Sequence, residues 1–227
     1  MDSMKTIEIE KYCENNTFKQ SFLAAQKLNP EGGVCLEFGV GMGRSFSWSL
    51  MQIVRNSPNS KLLGFDGWKG LPKEDSKVWC PDHHTEGKLC WSKAEIFKVF
   101  KDLGVLPYIE NDPRFYIVDG WFCDTLTPAL QKMVVSLGSL IFVNCDVDIF
   151  ISTEQMLNWI TPLLRVGTII YLDDWRDPTD NNPAFPERKW GEHLAWEQWT
   201  QRNPNLKFEL LVCNELDQRS YQCVGVQ

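Results

Sequence analysis

Val34-Cys35-Leu36-Glu37-Phe38-Gly39-Val40-Gly41-Met42-Gly43-Arg44-Ser45 decides how the rest of the chain is read. Val34 to Phe38 is short and almost wholly apolar, as expected of a strand buried on both faces of a parallel sheet. The alternating glycines that follow let the backbone turn tightly and let a ligand approach it closely. Arg44 to Arg55 then reads as a helix. Its first amides would point at whatever the glycine loop holds, which suits a carboxylate or a phosphate.

The same alternation of apolar strand and amphipathic helix continues outward from this unit. Strands are expected at Lys61–Phe65, Phe115–Val118, Leu140–Cys145 and Thr168–Leu172, with helices at Trp91–Leu103, Leu126–Val135, Thr153–Leu164 and Trp190–Gln201. Residues 8–28 read as one or two N-terminal helices, so that 1–30 forms a helical cap. Lys207–Val212 and Tyr221–Val226 read as a terminal hairpin. Together these describe an α/β fold: a mostly parallel seven-stranded sheet with helices on both faces and an antiparallel C-terminal hairpin. No repeat or linker divides the 227 residues, a length that suits one domain. Residues 67–90 are rich in Pro, Gly and charge and too long for a plain connection, which marks them as a lid loop.

Composition narrows the function. The net charge of -7 repels a phosphate backbone, so nucleic acid is not expected as a partner. No apolar run approaches the ~20 residues needed to span a membrane. The N-terminus lacks an apolar signal core. Of the eight cysteines, Cys35, Cys145 and Cys213 sit in apolar strand-like runs and read as small core hydrophobes. That usage fits a reducing, cytoplasmic setting; a homo-oligomer is allowed. Cys80, His83, His84 and Cys90 could bind zinc on paper, but their spacing matches no common zinc pattern.

Ligands of open α/β sheets bind outside the carboxyl ends of the strands. Strand two ends in Asp66-Gly67, and an acid there can accept hydrogen bonds from both hydroxyls of a ribose. With the glycine loop it describes a site for an adenosine-bearing cofactor. A dinucleotide fingerprint would need a third spaced glycine where this chain has Arg44. Asp119-Gly120-Trp121-Phe122 after strand three offers a small residue beside aromatics, where a base could stack. Strand four ends in Asp146-Val147-Asp148 and strand five in Asp173-Asp174. A single Asp at a strand end is ordinary turn chemistry. Four at adjacent ends repel one another unless a cation lies between them, and a carboxylate set without His or Cys favours Mg²⁺ over zinc.

Glu37 to Gly43, Phe65-Asp66-Gly67-Trp68-Lys69-Gly70-Leu71-Pro72, Gly120 to Leu126, Val143 to Phe150, Leu172-Asp173-Asp174 and Trp190-Gly191-Glu192 resemble the TylF-type (macrocin O-methyltransferase) family of class I methyltransferases. The blocks run from about residue 34 to about residue 200. The resemblance implies a Rossmann-like class I fold and S-adenosylmethionine as methyl donor. It implies Mg²⁺ held by Asp146, Asp173 and Asp174, and a sugar hydroxyl as acceptor. The expected cofactor set is Glu37, Phe38, Gly39, Gly41, Gly43, Arg44, Ser45, Asp66, Gly67, Asp119, Gly120, Trp121, Phe122 and Asp146. Three aspartates leave part of an octahedral Mg²⁺ sphere open, which favours a small-molecule or glycan acceptor with vicinal hydroxyls. Relatives such as the catechol O-methyltransferases place a base three residues after the first metal aspartate, where this chain has Ile149. Asp148 is then the leading base, beside Asp146, with His193 as a second candidate. Alternation along the strand would also let Asp148 serve only as support for Asp146. A DxD-type glycosyltransferase is the alternative, since Asp146-Val147-Asp148 matches that metal-diphosphate pattern.

Overall fold

The computed structural model describes residues 9–75, 78, 80, 82–175, 190–214 and 218–226, without the side chain of residue 83. A short helix over residues 9–12 leads into α1 (Asn16–Leu28), capped by Asn15, whose side chain accepts from Phe18 N–H. Then follow β1 (Val34–Phe38), α2 (Arg44–Asn56), β2 (Lys61–Asp66), α3 (Lys93–Asp102), α4 (Leu106–Asn111) and β3 (Phe115–Asp119). The second half holds α5 (Phe122–Thr125), α6 (Pro128–Leu137), β4 (Leu140–Cys145), α7 (Phe150–Ile160), β5 (Ile169–Leu172), α8 (Gly191–Arg202), β6 (Leu206–Cys213) and β7 (Arg219–Val226).

The strands form one sheet in the order β3-β2-β1-β4-β5-β7-β6. The first five are parallel, and β7 runs antiparallel to both β5 and β6. The mostly parallel seven-stranded sheet expected from the strand pattern is therefore present, with the hairpin placing the last strand inside the sheet and β6 at its edge. Alternation along each buried strand sends side chains to two cores. Cys35, Leu62, Phe142 and Tyr171 meet α1, α2 and α3 through Phe18, Phe46 and Phe100. Leu36, Phe65, Val143 and Leu172 meet α6, α7 and α8 through Val134, Met156 and Trp199. Among the described residues no helix is long and apolar enough to cross a membrane.

Element ends differ from the sequence reading where local capping decides them. α3 begins at Lys93 because Ser92 and Glu95 form a reciprocal capping box. α6 begins at Pro128, behind the cap of Thr127. α7 starts earlier than expected, at Phe150, and passes at Pro162 into a one-turn 3-10 helix. The short α4 was not anticipated. Cys213 is exposed, not a core residue, because it sits on the edge strand β6, while Cys35 and Cys145 are buried as expected.

Strand order reverses between β1 and β4, and the chain opens there toward a ligand. The two strands stay close past their ends: Asp146 N–H donates to Phe38 O at 3.0 Å. Gly39 lies in that gap with φ +82°, and a Cβ on it would sit 1.8 Å from the main-chain oxygen of Asp146. Gly39→Ala should therefore cost about 3 kcal/mol through backbone strain and displacement of β4's end. Urea denaturation checks this; a loss below ~0.5 kcal/mol would show that the gap can widen freely.

Candidate active site

A cavity of about 490 Å³ opens at the carboxyl ends of the parallel strands. One side is the glycine loop. Gly41 N–H donates to Asp66 Oδ2 at 2.9 Å and Trp68 N–H to Oδ1 at 2.7 Å, so β2's terminal acid is oriented by main-chain donors. Burial raises the Asp66 carboxyl, against the pull of those donors and of Val40 N–H. α2 starts after Gly43 with no side-chain cap, so its first amides keep donor capacity for a ligand. Gly120, Trp121 and Phe122 line the cavity from the turn after β3.

The other side is acidic. Ligand oxygens of Asp146, Asp173 and Asp174 lie within 4.8 Å of one another. Asp146 and Asp174 are held well above the usual carboxylate range, first by burial and then by the neighbouring acids. Asp173 is also raised by burial, against hydrogen bonds that support its charge. Its Oδ1 accepts from Asn15 Nδ2 at 2.8 Å, Gln218 Nε2 at 3.0 Å and the Tyr171 hydroxyl at 2.5 Å. Asp148 lines the cavity with φ +60°, a conformation that costs a non-glycine residue on the order of 1–3 kcal/mol. The donor chemistry fits a hard cation: all-oxygen ligands repelling one another, with Arg44 as the one Lys or Arg among the described lining residues.

Several contributors have little individual signal in the sequence. Glu192 is fully buried, and its carboxylate joins the ends of β4 and β5: Oε1 accepts from Val147 N–H at 3.2 Å and Oε2 from Asp174 N–H at 3.1 Å. Gly191 makes this approach feasible, since a Cβ there would meet Asp148 O at 2.3 Å. Asn15 and Gln218 reach Asp173 from distant segments, and Tyr171 reaches it from two residues earlier on β5. From the stretch expected to form a lid, Gly70, Leu71, Pro72 and Leu89 line the cavity. Leu71 N–H donates to Lys88 O and Gly87 N–H to Leu71 O, both at 2.9 Å. Trp91 also lines the cavity, whereas Trp79 lies outside the described residues.

The structure brings Gly39, Gly41, Arg44, Ser45, Asp66, Gly67, Gly120, Trp121, Phe122, Asp146, Asp148, Asp173 and Asp174 to one cavity. Five expected residues do not line it. Phe38 points into the core and stacks on Phe65, centroids 4.6 Å apart. Glu37 points to the opposite face of β1, where it is buried and accepts from Ser45 Oγ at 2.8 Å. Gly43 serves packing, because a Cβ there would meet Phe100 at 2.6 Å. Asp119 turns outward to Lys93 at 2.6 Å. His193 stacks on Trp175, centroids 4.3 Å apart, with its Nε2 3.5 Å from Glu197 Oε1. The zinc set is not assembled among the described residues either: Cys80 Sγ donates to His84 O, Cys90 Sγ lies 3.8 Å from Trp68 O, and His84 turns to Asp148. The His83 side chain lies outside the described residues.

A family model described as "Methyltransferase domain" matches residues 36–175. No curated protein matches the chain by sequence. Among solved structures, the O-methyltransferase NovP superposes with a TM-score of 0.68 at 19% identity, covering 91% of this chain and 79% of that one. The calicheamicin methyltransferase CalS11 gives 0.66 at 18%, covering 92% and 80%. An O-methyltransferase from Bacillus cereus, solved with SAH, gives 0.56 at 13%, covering 99% and 92%. At these identities the likeness establishes the fold.

The buried acids make stability depend on pH. Burial pushes Glu37 up to about 8, and burial followed by the charge of Asp173 pushes Glu192 up to about 8, against an ordinary 4.5. Between those values the folded chain keeps protons that the unfolded chain has released, so stability falls as pH rises from about 4.5 to about 8. Without divalent cation, the melting temperature should be lower at pH 8 than at pH 5.5, and Glu37→Gln should flatten part of that slope. A melting temperature that climbs across the interval would contradict this account.

Proposed function

The chain belongs to the methyltransferase domain family, and from that premise we propose that it is an S-adenosylmethionine-dependent, Mg²⁺-assisted O-methyltransferase acting on a sugar with vicinal hydroxyls. The observation that carries the reading is the pairing, across one cavity, of the β1 glycine loop with the carboxylates of Asp146, Asp148, Asp173 and Asp174. Family membership favours this over the glycosyltransferase alternative, which leaves the glycine loop without a role. CalS11 is named as a TDP-rhamnose 3'-O-methyltransferase, an analogy in fold that supports a sugar acceptor. The TylF-type resemblance supports it further.

In this reading Asp66 accepts from the ribose hydroxyls, the first amides of α2 bind the donor's carboxylate, and Trp121 and Phe122 flank its adenine. S-adenosylmethionine, when bound, supplies the sulfonium methyl group. Mg²⁺, held by Asp146, Asp173 and Asp174, supplies a Lewis-acid charge that lowers the pKa of a nearby hydroxyl. Asp148, lining the same cavity, would take the proton of the acceptor hydroxyl. The protein's remaining work is alignment of oxygen, carbon and sulfur. Residues 67–90 contribute by covering the cavity and limiting water.

Asp66→Ala should weaken binding of S-adenosylhomocysteine by about 1.5–3 kcal/mol, the scale of lost charge-assisted hydrogen bonds. Calorimetry reads this directly, and an unchanged affinity removes Asp66 from the donor site.

A panel of glycosides incubated with labelled donor, with product masses recorded, tests the reaction itself. Transfer should require a divalent cation, stop with EDTA, and be lost in Asp173→Asn and Asp174→Asn while S-adenosylhomocysteine still binds. A vicinal diol should react far faster than its monodeoxy analogue. Full activity in metal-free protein would refute the cation's role, and equal rates for the diol pair would refute the requirement for adjacent hydroxyls.

A further inference from the structure

Among the described residues of the 67–90 stretch, Glu74 and His84 reach the carboxylate rim. Glu74 accepts from the first two amides of α7, Phe150 N–H at 2.7 Å and Ile151 N–H at 3.1 Å. It thereby anchors the segment at the helix that begins two residues after Asp148. The second contact is His84, at the end of the one-turn helix Asp82–His84, whose Nε2 lies 2.8 Å from Asp148 Oδ1. Both side chains are withdrawn from water, 4% and 13% exposed, and the Trp190 ring packs on the imidazole at 5.1 Å. An ionised carboxylate has no proton to give, so the imidazole is the donor of this bond.

We propose that His84 is a positioning residue for proton transfer. By donating to Asp148 Oδ1 it holds the carboxylate in one orientation and leaves Oδ2 for the acceptor hydroxyl. Asp148 itself holds a positive φ of +60°, a conformation uncommon outside glycine. The inference rests on the reading of Asp148 as proton acceptor. The ligand atoms of His84, Asp148 and Asp174 also lie within 4.8 Å of one another, so His84 as a metal ligand is the rival the experiment must separate.

The test compares wild type, His84→Ala, His84→Gln, Asp148→Asn and the His84→Ala/Asp148→Asn double variant on one accepted glycoside. S-adenosylhomocysteine affinity serves as the check on folding. His84→Ala should lower kcat about 10–100-fold, the usual worth of a group that orients a reacting one. KM for the donor and calorimetric Mg²⁺ affinity should stay unchanged. His84→Gln, which keeps an amide donor, should recover part of kcat, and it carries the comparison if the alanine variant fails to bind S-adenosylhomocysteine. The double variant should be no slower than Asp148→Asn alone. If Asp148→Asn is slow and the two losses multiply, His84 does not act through Asp148 and the proposal falls while the base assignment stands. Lost Mg²⁺ affinity in His84→Ala overturns it in favour of a metal ligand. Wild-type kcat in Asp148→Asn would remove the base assignment itself, and His84's role with it.

Discussion

Like charge held out of water organises the centre of this molecule. Asp146, Asp148, Asp173, Asp174 and Glu192 converge where β4 and β5 end, and burial together with mutual repulsion raises Asp146, Asp174 and Glu192 above their ordinary range. Such a group persists only if donors or a cation offset it. Two of Asp173's donors come from remote parts of the chain, Asn15 ahead of α1 and Gln218 before β7, and His84 comes as far to Asp148, while Tyr171 on β5 serves Asp173 locally and main-chain amides serve Glu192. The segment ahead of α1, His84 and the C-terminal hairpin are thus tied to one electrostatic problem.

The sheet makes that convergence geometrically unavoidable. In a parallel sheet every carboxyl end lies on the same rim, and the reversal of strand order between β1 and β4 leaves a gap there. The glycine loop fills one side of the gap and the acids the other, with Gly39 allowing the two backbones to come together. The fold thus sets the glycine loop and the carboxylates across one cavity before anything is bound.

Where expected site residues fall outside the cavity lining, the cause is direction and not location. Glu37, Phe38, Gly43 and Asp119 all lie in or beside the blocks that pointed to the cofactor. Alternation on β1 sends Phe38 to one core and Glu37 to the other, Gly43 gives room to Phe100, and Asp119 turns outward to Lys93. His193 follows the Glu192 that braces the rim, yet one step along a helix turns it onto Trp175 instead. A motif marks a neighbourhood, whereas the side-chain vector depends on how the whole element packs.

By itself the sequence determined the α/β class, the strand succession, the glycine loop, Asp66 and the four strand-end aspartates. Those are local matters: apolar runs specify buried parallel strands, glycine specifies the turn, and a strand-end position needs no knowledge of the partner strand. Only the tertiary structure decided that β7 slots between β5 and β6, that Glu192 braces the rim, that Asn15 and Gln218 hold Asp173, and that His84 rather than His193 reaches Asp148. Each of these joins segments far apart along the chain. Their side chains carry no period or spacing that refers to one another, so their meeting follows from the packing of the entire sheet and its helices.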